Sequence, residues 1–180
     1  MENGSSSYTR FLCGNESAFE EIMEEYKDGL AAFINRYVRD AEAAEDIAID
    51  VFTYVLINPG KYNFKTSLKT YLYMLGRSRA LDYVRRRKRR ELTEPDAADV
   101  LAAPPEEKVF AAARREAVQN AMAKLPENMR EALFLVYFEE LSYEETAKIM
   151  KKSKIQVDNL LYRAKEKMRA LLGKDGELWL

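Results

Sequence analysis

The stretch 141–172, LSYEETAKIMKKSKIQVDNLLYRAKEKMRALL, constrains the fold more than any other part of the chain. Ser142 and Glu145 stand at S-x-x-E spacing, in which each side chain can satisfy the other residue's backbone N–H, so a helix starts here. Tyr143, Thr146, Ala147 and Met150 then recur at helical spacing, and Ala147 is small enough to let a second helix pass close by. Lys151, Lys152 and Ser153 break the pattern. From Lys154 a second helical period places Val157, Leu161, Ala164, Met168 and Leu171 on one stripe and Gln156, Asn159, Tyr162 and Arg163 on another face. A short helix, a tight break and a second helix with a hydrogen-bonding face is the layout of a helix-turn-helix, whose second helix enters the DNA major groove. An ordinary helical hairpin in an all-helical core shows the same pattern.

The rest of the chain is predicted to be helical too. Only 7 glycines and 5 prolines occur in 180 residues, which disfavours a turn-rich β architecture. No run of about 18 apolar residues is present, so no membrane insertion is expected. The start, MENGSSSYTRFLCG, lacks a basic segment followed by a long apolar core, so no secretory signal is expected. A single cysteine, Cys13, excludes an internal disulfide framework and fits a cytoplasmic protein. The chain has no histidine, which removes the commonest general base and histidine-ligated zinc. No glycine-rich phosphate loop or metal-ligand spacing takes its place. We therefore expect no enzyme activity, no catalytic residue, no metal and no cofactor.

The net charge of −1 conceals a segregation. Residues 1–60 hold 4 basic and 12 acidic side chains, residues 61–90 hold 11 basic and 1 acidic, and residues 91–107 hold 6 acidic and none basic. A polyanion would meet the 61–90 block and the C-terminal helix.

In chain order, residues 1–14 are predicted to be a disordered N-terminus. A helical domain follows at 15–90. Its first helix, from about Asn15, buries Phe19, Ile22, Met23, Tyr26, Leu30, Phe33 and Ile34. Its second, over 41–57, turns Ile47, Val51, Tyr54 and Val55 inward. Glu42, Glu45, Asp46 and Asp50 share the other face of that helix, either as a solvated surface or as a docking surface for a basic partner. Asn58, Pro59 and Gly60 end the helix. A loop with aromatic and basic residues follows, and then a helix over 67–90 that packs through Leu68, Leu72, Leu75, Ala80 and Val84. Tyr62, Phe64, Tyr71 and Tyr73 interleave with the basic residues. Cationic charge binds phosphates and aromatic faces stack on unpaired bases, so this block suits melted nucleic acid. Residues 91–107 read as an acidic linker that extends to at most about 60 Å. A second helical domain spans 108–172, with one helix ending at Pro126 and another over 127–138 whose inner face is Met129, Leu133, Val136 and Tyr137. Residues 173–180 are a short tail.

Three stretches resemble the bacterial sigma-70 family. AEDIAIDVFTYVL at 44–56 is similar to its region 2.2 pattern. SLKTYLYMLGRSRALDYVRRRKR is similar to regions 2.3 and 2.4. LPENMREALFLVYFEELSYEETAKIMKKSKIQVDNLLYRAKEKM is similar to region 4. The order and separation also match, and no further block fits between regions 2 and 4. This points to the short extracytoplasmic-function group.

The resemblance implies an all-α protein of two small helical domains joined by a flexible linker. It implies an RNA polymerase sigma factor that directs core polymerase to promoters, reads −10 and −35 elements and stabilises melted DNA. Glu45, Asp46, Ile49, Asp50 and Phe52 would dock on the β′ clamp helices, and region 4 on the β flap. Asn63, Phe64, Lys65, Thr66 and Ser67 would form the loop that captures a flipped −10 base, with Tyr71, Arg77, Ser78, Arg85 and Arg86 on the adjoining helix. Lys154, Ile155, Gln156, Asp158, Asn159, Tyr162 and Arg163 would face the −35 element. An anti-sigma factor is an expected partner. The chain departs from the family pattern at Tyr71 (tryptophan), Ser78 (asparagine), Lys151 (the turn glycine) and Asp158 (often arginine or lysine). A helix-turn-helix regulator acting without polymerase would explain 127–172 alone, and a helical adaptor would use similar surfaces without DNA.

Overall fold

A computed structural model describes residues 4–93 and 117–172 and contains no strand among them. The chain divides into two compact units, Met1–Ala102 and Ala103–Leu180. Most of the expected linker and the start of the helix expected from Lys108 lie outside the described residues, as does the expected tail at 173–180.

The first unit comprises α1 (Ser5–Leu12), α2 (Ser17–Val38), α3 (Ala41–Ile57), a 3₁₀ turn (Pro59–Lys61) and α4 (Leu68–Thr93). Helix α2 packs against the other three α-helices. It contributes Ile22, Leu30, Phe33 and Ile34, all fully buried, as the spacing predicts. Only two residues separate α2 from α3: Arg39 adopts a left-handed conformation (φ 55°), and the Asp40 carboxylate accepts from the Ala43 N–H at 3.1 Å. Gly76 sets the α2–α4 approach. A Cβ there would lie 2.8 Å from Leu30 Cδ1 and 3.3 Å from Ile34 Cδ1.

Several expectations fail in this unit. Residues 5–12 are helical rather than disordered, held by Tyr8 and, one turn on, Phe11, while Leu12 stays exposed. Tyr8 is fully buried, and Phe11 packs on Phe19 at 5.0 Å. Tyr62 and Tyr73 are buried and so do not offer ring faces to bases; the Tyr73 ring lies 5.0 Å from Phe33. Met23, Leu75, Val84 and Tyr54 are only half-buried; Tyr54 instead lies under the Arg79 guanidinium at 5.2 Å.

The second unit begins, in its described part, with a helical stretch at 117–123, here α5. Then come α6 (Glu127–Leu133), a π-helical turn (Phe134–Phe138), α7 (Tyr143–Met150) and α8 (Lys154–Leu172). The π turn changes the register expected for 127–138. The Glu139 N–H bonds Phe134 O at 3.1 Å, five residues back. The wider turn buries Phe134 and Leu135 and exposes Tyr137, which a 3.6 period had turned inward. Leu171, also expected inside, is exposed, whereas Val157, Leu161, Ala164 and Met168 are buried as expected.

The capping box at Ser142 forms reciprocally: the Glu145 N–H donates to Ser142 Oγ at 3.2 Å and the Ser142 N–H to Glu145 Oε2 at 3.0 Å. Helix α7 ends on Lys151 in the left-handed region (φ 54°, ψ 48°). The Lys152 N–H bonds Ala147 O at 2.9 Å and the Lys151 N–H bonds Lys148 O at 3.3 Å, a Schellman closure. Lysine bears a steric cost there that glycine does not. Lys151→Gly is therefore expected to stabilise this unit by about 1 kcal/mol, read as a higher midpoint in thermal unfolding.

Candidate nucleic-acid interface

The outer face of α8 is built by its core stripe. At 100° per residue, Ile155, Asn159, Tyr162 and Arg163 fall opposite Val157, Leu161, Ala164 and Met168, and Asp158 about a quarter turn from that stripe. All five are exposed, Ile155 at 74% and Tyr162 at 64%. An exposed isoleucine and tyrosine beside an amide, a carboxylate and a guanidinium can offer both apolar and hydrogen-bonding contacts to base edges.

The other two predicted members, Lys154 and Gln156, sit on the flanks with bonds of their own. Gln156 and Ser153 form a second capping box: the Ser153 N–H donates to Gln156 Oε1 at 2.9 Å and the Gln156 N–H to Ser153 Oγ at 3.2 Å. Gln156 keeps its amide N–H donors for other partners. Lys154 Nζ pairs with Glu144 Oε1 of α7. This bond holds the Glu144 carboxyl below the usual carboxylate range and raises the Lys154 ammonium above its ordinary value, with a smaller contribution from Asp158. Sequence reasoning missed both arrangements. The S-x-x-Q spacing could have shown the first; Glu144 lies ten residues from Lys154, and no pattern signals that pair.

In the first unit the predicted loop is shaped by side chains. Asn63 Oδ1 accepts from the Lys65 N–H at 3.1 Å, Tyr62 Oη donates to Thr66 O at 2.6 Å, and Ser67 Oγ caps α4 by accepting from the Thr70 N–H at 3.2 Å. Asn63, Phe64 and Lys65 are exposed, and Thr66 and Ser67 half-buried. Phe64 has φ 58°, a left-handed conformation that costs an aromatic residue about 1–2 kcal/mol. Its ring rests on Tyr62 at 4.6 Å.

On α4, Tyr71, Ser78 and Arg85 follow at i, i+7, i+14 and share a stripe with Ser67. The Tyr71 ring lies 5.2 Å from Tyr62, and burial and then the neighbouring Tyr54 raise its hydroxyl above the ordinary value. Arg85 pairs with Asp82 at 2.7 Å, an exposed ion pair of little energetic weight. Arg77 and Arg86 lie off the stripe. Arg86 lines a cleft between α3 and α4 with Asp50, Arg79, Asp82 and Arg90.

On α3, Glu45, Asp46, Ile49 and Asp50 are exposed on one outward arc. Phe52 is not part of it. At 2% exposure it lies in the core, although by helical angle it sits at the border between the outward arc and the Val55 and Ala48 side. The arc also contains Leu56 (43% exposed) and ends near Ile57 (69%), neither of which was anticipated. The i, i+7 spacing of Ile49 and Leu56 could have revealed this apolar strip within an acidic rim. No described helix is long and apolar enough to cross a membrane.

Comparisons with known proteins match both units. Residues 22–90 match the family model for Sigma-70 region 2, and residues 115–168 the model for Sigma-70 region 4. The ECF RNA polymerase sigma factor SigM of Bacillus subtilis is 30% identical over 159 residues, covering 86% of this chain and 95% of that protein. The RNA polymerase sigma-H factor of Pseudomonas aeruginosa is 29% identical over 164 residues, covering 85% of each. Among solved structures, the sigma factor RpoE from Bartonella quintana, in complex with the anti-sigma factor NepR, superposes with a TM-score of 0.73 at 20% identity, covering 87% of this chain and 98% of that one. CnrH, in complex with the cytosolic domain of CnrY, has a TM-score of 0.63 at 20% identity, covering 96% of each. At these identities the two structures establish a shared fold.

Proposed function

Because the chain belongs to the extracytoplasmic-function group of RNA polymerase sigma factors, we propose that its three exposed faces divide the work of promoter recognition. It directs core polymerase to specific promoters and makes no covalent change itself. The outer face of α3, with Glu45, Asp46, Ile49 and Asp50, docks on the clamp helices of β′, and the second unit contacts the β flap. Asn63, Phe64 and Lys65, with the Tyr71, Ser78 and Arg85 stripe, read and hold the melted −10 element. The outer face of α8 reads the −35 element. It acts in the cytoplasm, where polymerase and promoter DNA are, and an anti-sigma factor is its inhibitory partner. RpoE and CnrH were each solved in complex with another protein, in the first case an anti-sigma factor.

The observation that carries this reading is the outward set Ile155, Asp158, Asn159, Tyr162 and Arg163 on α8. A hairpin inside a helical core would bury both faces; this one buries a single stripe. Run-off transcription with core polymerase on a promoter library tests it. Initiation at promoters with a shared −10 and −35 pair is the expected outcome, and operator binding without core polymerase would favour a conventional regulator.

Asp158 lacks the positive charge that would favour a phosphate contact, but its exposed carboxylate can accept from cytosine N4. Asp158→Ala is expected to lower the preference for cytosine at one −35 position by about 10-fold. Unchanged −35 preferences in a randomised-promoter assay would exclude that role.

A further inference from the structure

Tyr8 is an unexpected core residue. Its helix, SSSYTRFL, is otherwise mostly polar, yet Tyr8 is fully buried. Its hydroxyl donates to Pro59 O at 2.9 Å, across 51 positions of sequence. Burial, reinforced by the neighbouring tyrosines, pushes that hydroxyl up to about 12. Its ring meets Tyr62 edge-on at 5.1 Å and Phe64 at 6.1 Å. One side chain thus touches the backbone just before the loop and two rings within it.

Besides Tyr8, the loop's Tyr62 meets the Tyr71 ring at 5.2 Å and Ser5 Oγ at 3.5 Å. Among the described residues no backbone-to-backbone hydrogen bond joins two members of 62–66. Its shape comes from Tyr62 Oη on Thr66 O, from Asn63 Oδ1 on the Lys65 N–H, and from the edge-on and tilted ring cluster of Tyr62, Phe64 and Tyr8. Phe64 holds a left-handed backbone with its ring packed in that cluster, so losing one wall of the cluster removes part of what keeps it there. Helix α1 is itself anchored on α2. Phe11 packs on Phe19, and Arg10 pairs with Glu21.

We infer that Tyr8 is a positioning residue for −10 recognition: through its hydroxyl on Pro59 and its ring on Tyr62 and Phe64, helix α1 fixes the loop that presents Asn63 and Lys65 to an unpaired base. The inference rests on the reading of 63–67 as the base-capturing loop. It makes α1 part of the promoter-reading machinery although no residue of α1 touches the base.

The test uses the full chain with core polymerase on promoters that have a fixed −35 element and a randomised −10 element. Tyr8→Leu removes the ring contacts and the hydroxyl, Tyr8→Phe removes the hydroxyl alone, and Asn63→Ala alters the loop directly. Tyr8→Leu is expected to flatten −10 base preference by about 10-fold and to reduce permanganate reactivity of −10 thymines, with core affinity within about twofold of the parent and −35 preference unchanged. Tyr8→Phe gives a smaller shift at the same base position, about 3-fold, and decides the matter if Tyr8→Leu does not fold. If Asn63→Ala shifts −10 preference and neither Tyr8 variant does, the role of Tyr8 is overturned and the loop reading stands. If none of the three shifts it, the loop reading falls and the role of Tyr8 with it.

Discussion

Ile49→Glu is expected to abolish most core-polymerase binding while leaving the first unit folded. Ile49 is 56% exposed at the middle of the outward arc of α3, with Glu45 and Asp46 one turn before it and Asp50 beside it. A surface substitution of this kind costs within about 0.5 kcal/mol of stability, with a few tenths more from repulsion by Glu45 one turn away. Its effect on docking is different in kind. An apolar side chain ringed by charges has the arrangement of an interface anchor, whose loss costs about 2 kcal/mol or more. A carboxylate in its place would also have to be desolvated without a partner. Core affinity is therefore expected to fall by about 30-fold or more, with a parallel loss in run-off transcription and an unchanged melting temperature. Leu56→Glu, on the same strip, is expected to act in the same direction. A full-strength transcript from Ile49→Glu would show that the acidic face is only solvated surface.

How far such faces can be read from sequence depends on whether the signal is local. The Ala41–Ile57 helix has the bounds that its period and the Asn58, Pro59, Gly60 stop predict, and the capping box at Ser142 forms as its spacing requires. Both depend on residues within one or two turns of each other. The buried stripe of α8 is equally local, and the outward set follows from it. The failures are non-local or break the period. Tyr8 is buried by residues more than fifty positions away, so a serine-rich start looked disordered. Tyr62 and Tyr73 belong to aromatic clusters assembled from separate helices, and composition alone could not separate them from the exposed Phe64. The π turn widens one helical turn, so the positions within Phe134–Phe138 are displaced from the 3.6 period. Lys154, expected to face the −35 element, is paired with Glu144 of the preceding helix, a partner that no local spacing signals.

Phe52→Ala separates a core residue from an interface residue on a single helix. The resemblance groups Phe52 with Ile49 in the polymerase-docking set, and the structure places it in the core at 2% exposure, on a helix packed against α2 and α4. Truncation there removes a buried ring and leaves a cavity, which costs about 3–5 kcal/mol. That is a large part of the stability of a small domain, so the first unit is expected to melt far earlier in thermal unfolding. The functional loss should then follow the folded fraction. Below the new transition, core affinity per folded molecule stays near the parent value, and transcription recovers as temperature is lowered. Ile49→Glu predicts the opposite pair, a normal melting curve with weak docking at every temperature. Measuring both variants for melting and for core affinity distinguishes the two roles. If Phe52→Ala kept its parental melting temperature and lost docking, Phe52 would have to swing out of the core on binding. Its burial at 2% exposure, on a helix whose Val51 is fully buried and Val55 only 1% exposed, argues against that rearrangement.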